Sequence, residues 1–101
     1  MEQQNQIEID QNQLRAVVAE MPQKFDSHDV IKAFIKKYEA EYVDLLYAQR
    51  QRAPYAIFRA VHAAMGRALA EHAEALGIRK AARESSENIK GYDSENQGWE
   101  K

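Results

Sequence analysis

With 101 residues, 45% of them hydrophobic and 30% charged, the chain has room for one domain with a modest core and is too apolar to be disordered throughout. A formal charge of −2 excludes a global basic field directed at nucleic acid or anionic membrane, yet the balance shifts along the chain: residues 1–50 carry nine acids and six bases, residues 51–101 seven acids and eight bases. Cysteine is absent, which removes disulfides, thiol nucleophiles and cysteine-ligated metal centres.

Residues 1–11 are rich in Gln and Asn and read as a flexible polar leader, with neither the basic start nor the apolar stretch of a secretory signal. No apolar run anywhere approaches the roughly 20 residues that span a bilayer. The expectation is a cytoplasmic protein without membrane contact. A helical domain over residues 12–78 follows. Leu14, Val17, Val18 and Met21 recur at helical spacing and predict a short first helix over about 12–21, which Pro22 brings to an end.

The second predicted helix, over 27–50, has the strongest pattern. Asp26 or Ser27 supplies an N-cap, and Asp29 places negative charge in the first turn, where the helix dipole favours it. Ile31, Phe34, Ile35, Tyr38, Tyr42, Leu45, Leu46 and Gln49 lie within about 60° of one line around such a helix. A third helix over about 54–77 has Pro54 at its first position and an apolar face of Ile57, Val61, Ala64, Met65, Ala68, Leu69 and Leu76. Gly77 suits the left-handed position that ends a helix, with Ile78 making the hydrophobic contact beyond it. The opposite side of this helix carries small residues, Ala56, Ala63, Gly66 and Ala70, which suit either exposed helix or close approach by another element.

Residues 79–101 form a C-terminal arm in which Ser86-Glu87-Asn88 returns as Ser94-Glu95-Asn96, each copy followed by a glycine and an aromatic ring. The arm reads as irregular, with two capped turns presenting Tyr92 and Trp99 and with room for a short fourth helix after Arg79. The fold expected is therefore all-α, a small three-helix bundle with an irregular C-terminal arm.

Catalytic signatures are missing, so the expectation is a non-enzymatic protein with no catalytic residues, no cofactor and no metal. His28, His62 and His72 are not spaced as ligands on one helix turn, and His72, inside the apolar face of the third helix, reads as a core or rim residue. Surfaces carry the functional reading instead. Ala33, Ala40, Val43 and Tyr47 make a second apolar stripe on the second helix, opposite the core stripe, open to cover by the first helix, the C-terminal arm or a second copy of the chain, and the second copy is the one expected. With Ile89, Tyr92 and Trp99 of the arm, these residues form the candidate partner-binding set of a homodimeric protein–protein interaction module, its protein partner unspecified.

The alternative is a small DNA-binding regulator. Arg50 and Arg52, with Arg59 shortly after, form one basic cluster; Arg79, Lys80 and Arg83 form another. Residues 70–90 resemble a degenerate helix-turn-helix, in which Ala73, Gly77 and Ile78 match the turn. The second helix of that motif would need apolar residues where Arg83 and Ser86 stand.

Overall fold

The computed structural model describes residues 7–52 and 54–101; residues 1–6 of the polar leader and Ala53 lie outside the described residues. The elements in chain order are α1 (Gln11–Ala19), β1 (Lys24–Asp26), α2 (Ser27–Lys37), α3 (Glu39–Arg50), α4 (Ile57–Glu71), α5 (Ala73–Leu76), β2 (Arg79–Glu87) and β3 (Asp93–Glu100). The three strands form one antiparallel sheet in the order β1-β3-β2.

Local chemistry sets the helix starts. The Asp10 carboxylate accepts from the backbone N–H groups of Asn12 and Gln13, which have no partner inside α1. Asp26 accepts from the N–H of Asp29, and the Asp29 carboxylate accepts from the N–H of Asp26, a reciprocal pair that fixes the entry of α2. At the far end Gly77 takes φ +75°, and the N–H groups of Gly77 and Ile78 donate to the carbonyls of Glu74 and Ala73. The glycine stop is the one expected, with Ile78 buried beneath it.

The core is built by Leu14, Val17 and Val18 of α1, Phe25 of β1, Val30, Ile31 and Phe34 of α2, Tyr42 of α3, and Val61, Met65, Ala68 and Leu69 of α4, with Ile78 and Trp99 closing it from the sheet side. Ile7 and Ile9 pack against its edge. No helix among the described residues is long and apolar enough to cross a membrane.

The all-α expectation is overturned. Residues 79–101 are not an irregular arm or a fourth helix; they are a β-hairpin whose second strand is the centre of the sheet. The protein is thus a mixed helix-and-sheet domain and no helical bundle. Two forces build the hairpin from polar sequence. Trp99 is 1% exposed and pairs with Phe25 across the β1–β3 ladder, so burial of two rings anchors β3. Backbone hydrogen bonding then recruits β2, whose residues are almost all exposed and which needs no apolar face to pair.

The Ser-Glu-Asn repeat does not make two turns. Ser86 and Ser94 are direct cross-strand partners, so the copies lie on opposite sides of a single turn. The helix expected over 27–50 breaks at Tyr38 (φ −126°, ψ 56°), with Phe34 of α2 and Tyr42 of α3 buried on either side of the break. The helix expected over 54–77 starts at Ile57, leaving Pro54 in the preceding turn, and breaks at His72. The helix-turn-helix reading of residues 70–90 fails for the reason its apolar pattern already carried: the segment after Gly77 is strand β2.

Candidate nucleic-acid interface

Helix α4 is packed by one face and bare on the other. Val61, Ala64, Met65, Ala68 and Leu69 enter the core, whereas Arg59, His62, Ala63, Gly66, Arg67 and Ala70 recur at spacings of three and four residues along the opposite side. That side is the floor of a groove of about 810 Å³, closed laterally by the start of α2 and by the β2–β3 hairpin. The small side chains of Ala63, Gly66 and Ala70 keep the floor low, and a Cβ added at Gly66 would meet no atom within 4 Å.

Charge in this groove is one-sided. Lys32 from α2, Arg59 and Arg67 from α4, and Lys80, Arg83 and Lys90 from the hairpin line it, against the single carboxylate of Glu95. Six of the chain's 14 bases thus meet one of its 16 acids, on a protein that is acidic as a whole. Arg83 is 3.8 Å from Glu95, and both side chains are well exposed, so this pair is weak and screened by salt.

An irregularity in the ladder aims two of the bases. Lys80 pairs with Trp99 and Arg83 with Gln97, so three steps on β2 are matched by two on β3. Cross-strand partners share a face, and the extra residue of this β-bulge therefore keeps Lys80 and Arg83 on the same side of the sheet. The bulge brings the Ala82 carbonyl against Gly98, where any Cβ would collide with it. Gly98 is needed for that close approach.

A hydrogen-bonded hub holds the hairpin to α2. Ser86 Oγ donates to Asp26 Oδ2 at 2.8 Å, lies 2.8 Å from His28 Nδ1, and accepts from Asn96 Nδ2 at 3.3 Å. A hydroxyl has one proton, and here the carboxylate takes it. His28 Nδ1 must then donate, which leaves Nε2 as the proton-free nitrogen of the neutral ring. The His28 backbone N–H donates to Asn96 Oδ1 at 2.8 Å, tying the first turn of α2 to β3. Burial raises the Asp26 pKa, but hydrogen bonds from the Asp29 N–H and the Ser86 hydroxyl, with the nearby His28, outweigh it and hold the carboxyl below its ordinary value.

At the other end, Asn88 Oδ1 accepts from the N–H groups of Lys90 and Tyr92 and shapes the hairpin turn. Lys90 Nζ stands 5.9 Å from the centroid of Phe58, joining that turn to the beginning of α4. Along the floor, His62 Nε2 is 2.7 Å from the Tyr42 hydroxyl. Burial pushes the His62 pKa down to about 4, with His28 and Lys90 acting in the same direction, and burial pushes Tyr42 up to about 12. Both groups are neutral near pH 7, so neither adds to the positive charge of the groove's lysines and arginines.

Of the bases predicted for nucleic acid, Arg59, Lys80 and Arg83 line the groove. Arg79 pairs instead with Glu100 at 2.9 Å, and Arg50 and Arg52 stand exposed at the end of α3, outside the groove lining. Lys32, Arg67 and Lys90 were not singled out by the sequence. The available signal was the alternation of arginines with the small residues of α4, Arg59 and Arg67 beside Ala63, Gly66 and Ala70.

Among the residues predicted for partner binding, Val43 and Tyr47 are 54% and 63% exposed and Ala40 is exposed, whereas Ala33 packs against the core. Ile89 and Tyr92 are exposed at the hairpin turn. Trp99 is a core residue, 1% exposed, at the inner wall of the groove. His72 is half-buried at the α4–α5 junction. Comparisons with protein-family models, with curated proteins and with solved structures find no match for this chain.

Proposed function

We propose that the protein is a non-enzymatic nucleic-acid-binding domain that holds duplex DNA by its phosphates in the groove between α4 and the β2–β3 hairpin. One observation carries the reading: six bases against one carboxylate, gathered from three separate elements of an acidic chain. Cations gathered in this way favour a polyanion, whose condensed counterions they release on binding. Arg59 and Arg67 supply planar forks suited to phosphate oxygens, and the low floor between them allows a sugar–phosphate backbone to come close to the helix. The order of elements supports the same reading. A short strand precedes α2 and joins the edge of a C-terminal hairpin, which stands beside the base-carrying α4 as in a winged helix. That likeness is one of topology, and the charge distribution is the stronger argument.

The test is fluorescence anisotropy of a labelled short duplex titrated with the full chain over a range of salt concentrations. The expected result is binding that weakens linearly in log–log form with salt, its slope counting the phosphates neutralised. The double variant Lys80→Ala with Arg83→Ala loses affinity and flattens the slope by about one per contact removed. Lys36→Ala with Arg52→Ala, outside the groove, changes neither. Absence of binding at low salt, or equal loss from both pairs, overturns the proposal. Single-stranded DNA and RNA of the same length serve as comparators for the choice of duplex.

A further inference from the structure

The outer side of α3 is an apolar stripe that no described element covers. Taking about 100° per residue, Ala40, Val43 and Tyr47 fall within about 60° of one another, and the buried Tyr42 and Gln49 lie on the opposite side. Single exposed apolar residues are ordinary, but a row of them along one helix marks a contact surface.

Charge on α3 says what contact it fits. Its acids, Glu39, Glu41 and Asp44, all lie in the first half, and its base, Arg50, is the last residue. An identical helix packed parallel would set acid beside acid. Packed antiparallel, it sets each acidic half beside the other's basic end. The flanks of the stripe also match. Glu39 and Arg50 fall on one flank and Asp44 on the other, and in an antiparallel pair like flanks face each other.

We infer that α3 pairs antiparallel with α3 of a second copy of this chain about a twofold axis, with Val43 of each protomer against Tyr47 of the other. In that register position 39 stands opposite position 51, so Arg50 reaches the Glu39 carboxylate of the second copy, twice per dimer. A twofold contact of this kind is self-complementary and closes at two subunits. It also brings the two Asp44 carboxylates close together near the axis, which is a cost that the apolar centre must outweigh.

The experiment is sedimentation velocity on the full chain from low to high micromolar concentration. The expected result is a reversible dimer. Tyr47→Asp, at an exposed position that leaves circular dichroism unchanged, raises the dimer dissociation constant about tenfold or more. Arg50→Glu weakens the dimer several-fold, the double swap Glu39→Arg with Arg50→Glu restores it, and Asp44→Asn tightens it. A chain that stays monomeric throughout, or a dimer indifferent to Tyr47→Asp, overturns the inference; a double swap that fails to restore association overturns the antiparallel register. No residue of α3 lines the basic groove, so this result and the nucleic-acid result stand or fall separately.

Discussion

The indole N–H of Trp99 donates to the hydroxyl of Ser27 at 3.0 Å, joining the next-to-last residue of the sheet to the first residue of α2. Both residues are buried, and a buried indole N–H without a partner would cost most of what its ring contributes. Trp99→Ala is expected to cost about 3–5 kcal/mol and Ser27→Ala about 1–3 kcal/mol. Chemical denaturation followed by far-ultraviolet circular dichroism measures both. In the native protein Trp99 emission is expected to be blue-shifted, moving red across the same transition.

Two glycines are expected to respond in opposite ways to alanine. At Gly98 the added methyl collides with the Ala82 carbonyl oxygen at the bulge, a backbone atom that cannot swing aside. The cost is about 1–3 kcal/mol, with loss of the β2–β3 register. At Gly66, in mid-helix with open space around it, alanine stabilises by up to about 1 kcal/mol through helix propensity. The same methyl raises the groove floor, so Gly66→Ala is expected to melt higher and bind duplex DNA less tightly. Melting temperature and anisotropy, taken on one preparation, separate the two effects.

Ser86 is expected to be the costliest exposed-strand serine to remove. Its hydroxyl serves Asp26, His28 and Asn96 at once, and Ser86→Ala leaves three polar groups without that partner, destabilising by about 1–3 kcal/mol. Neutral His28 is expected to carry its proton on Nδ1. Nitrogen-15 chemical shifts of the imidazole report that tautomer directly, and an Nε2–H form would contradict the hub as described.

Stability is expected to rise with pH across two acid windows. The folded Asp26 pKa is depressed, so the unfolded chain takes up its proton first as pH falls. Its contribution is complete above the ordinary value of 3.8 and is lost as pH drops through the lower folded value. His62 behaves alike at higher pH: its folded pKa is about 4 against an ordinary 6.5, and stability falls between those values as the unfolded imidazole charges and the buried one does not. Tyr42, pushed up to about 12 from 10, gives the opposite slope above pH 10. Unfolding free energies at stepped pH should lose the middle window in His62→Phe and the lowest one in Asp26→Asn.

Where burial was local and periodic, it could be read from residue order alone. Leu14, Val17 and Val18, then Ile31 and Phe34, then Val61, Met65, Ala68 and Leu69 are at helical spacing because one face of each helix leaves water, and they form the observed core. Asp26 with Asp29 marks a helix start and Gly77 a helix stop, since capping needs only neighbours in sequence.

The hairpin and the groove were decided only in three dimensions. Every residue of β2 offers the same backbone N–H and C=O, so pairing with β3 leaves no mark in a strand whose side chains face water, and "RKAARESSE" reads no more as strand than as helix. Trp99 anchors that pairing from inside the core, far in sequence from the α1, α2 and α4 residues it joins there. The break at Tyr38 leaves no mark in the spacing, since an unbroken helix would also carry Phe34 and Tyr42 on one stripe. Lys32, Arg67 and Lys90 become one electrostatic surface only when α2, α4 and the hairpin close around a common groove. Helix faces were written in the sequence because their periodicity is intrinsic to one segment; the sheet and its basic groove arise from meetings between segments, which no single stretch encodes.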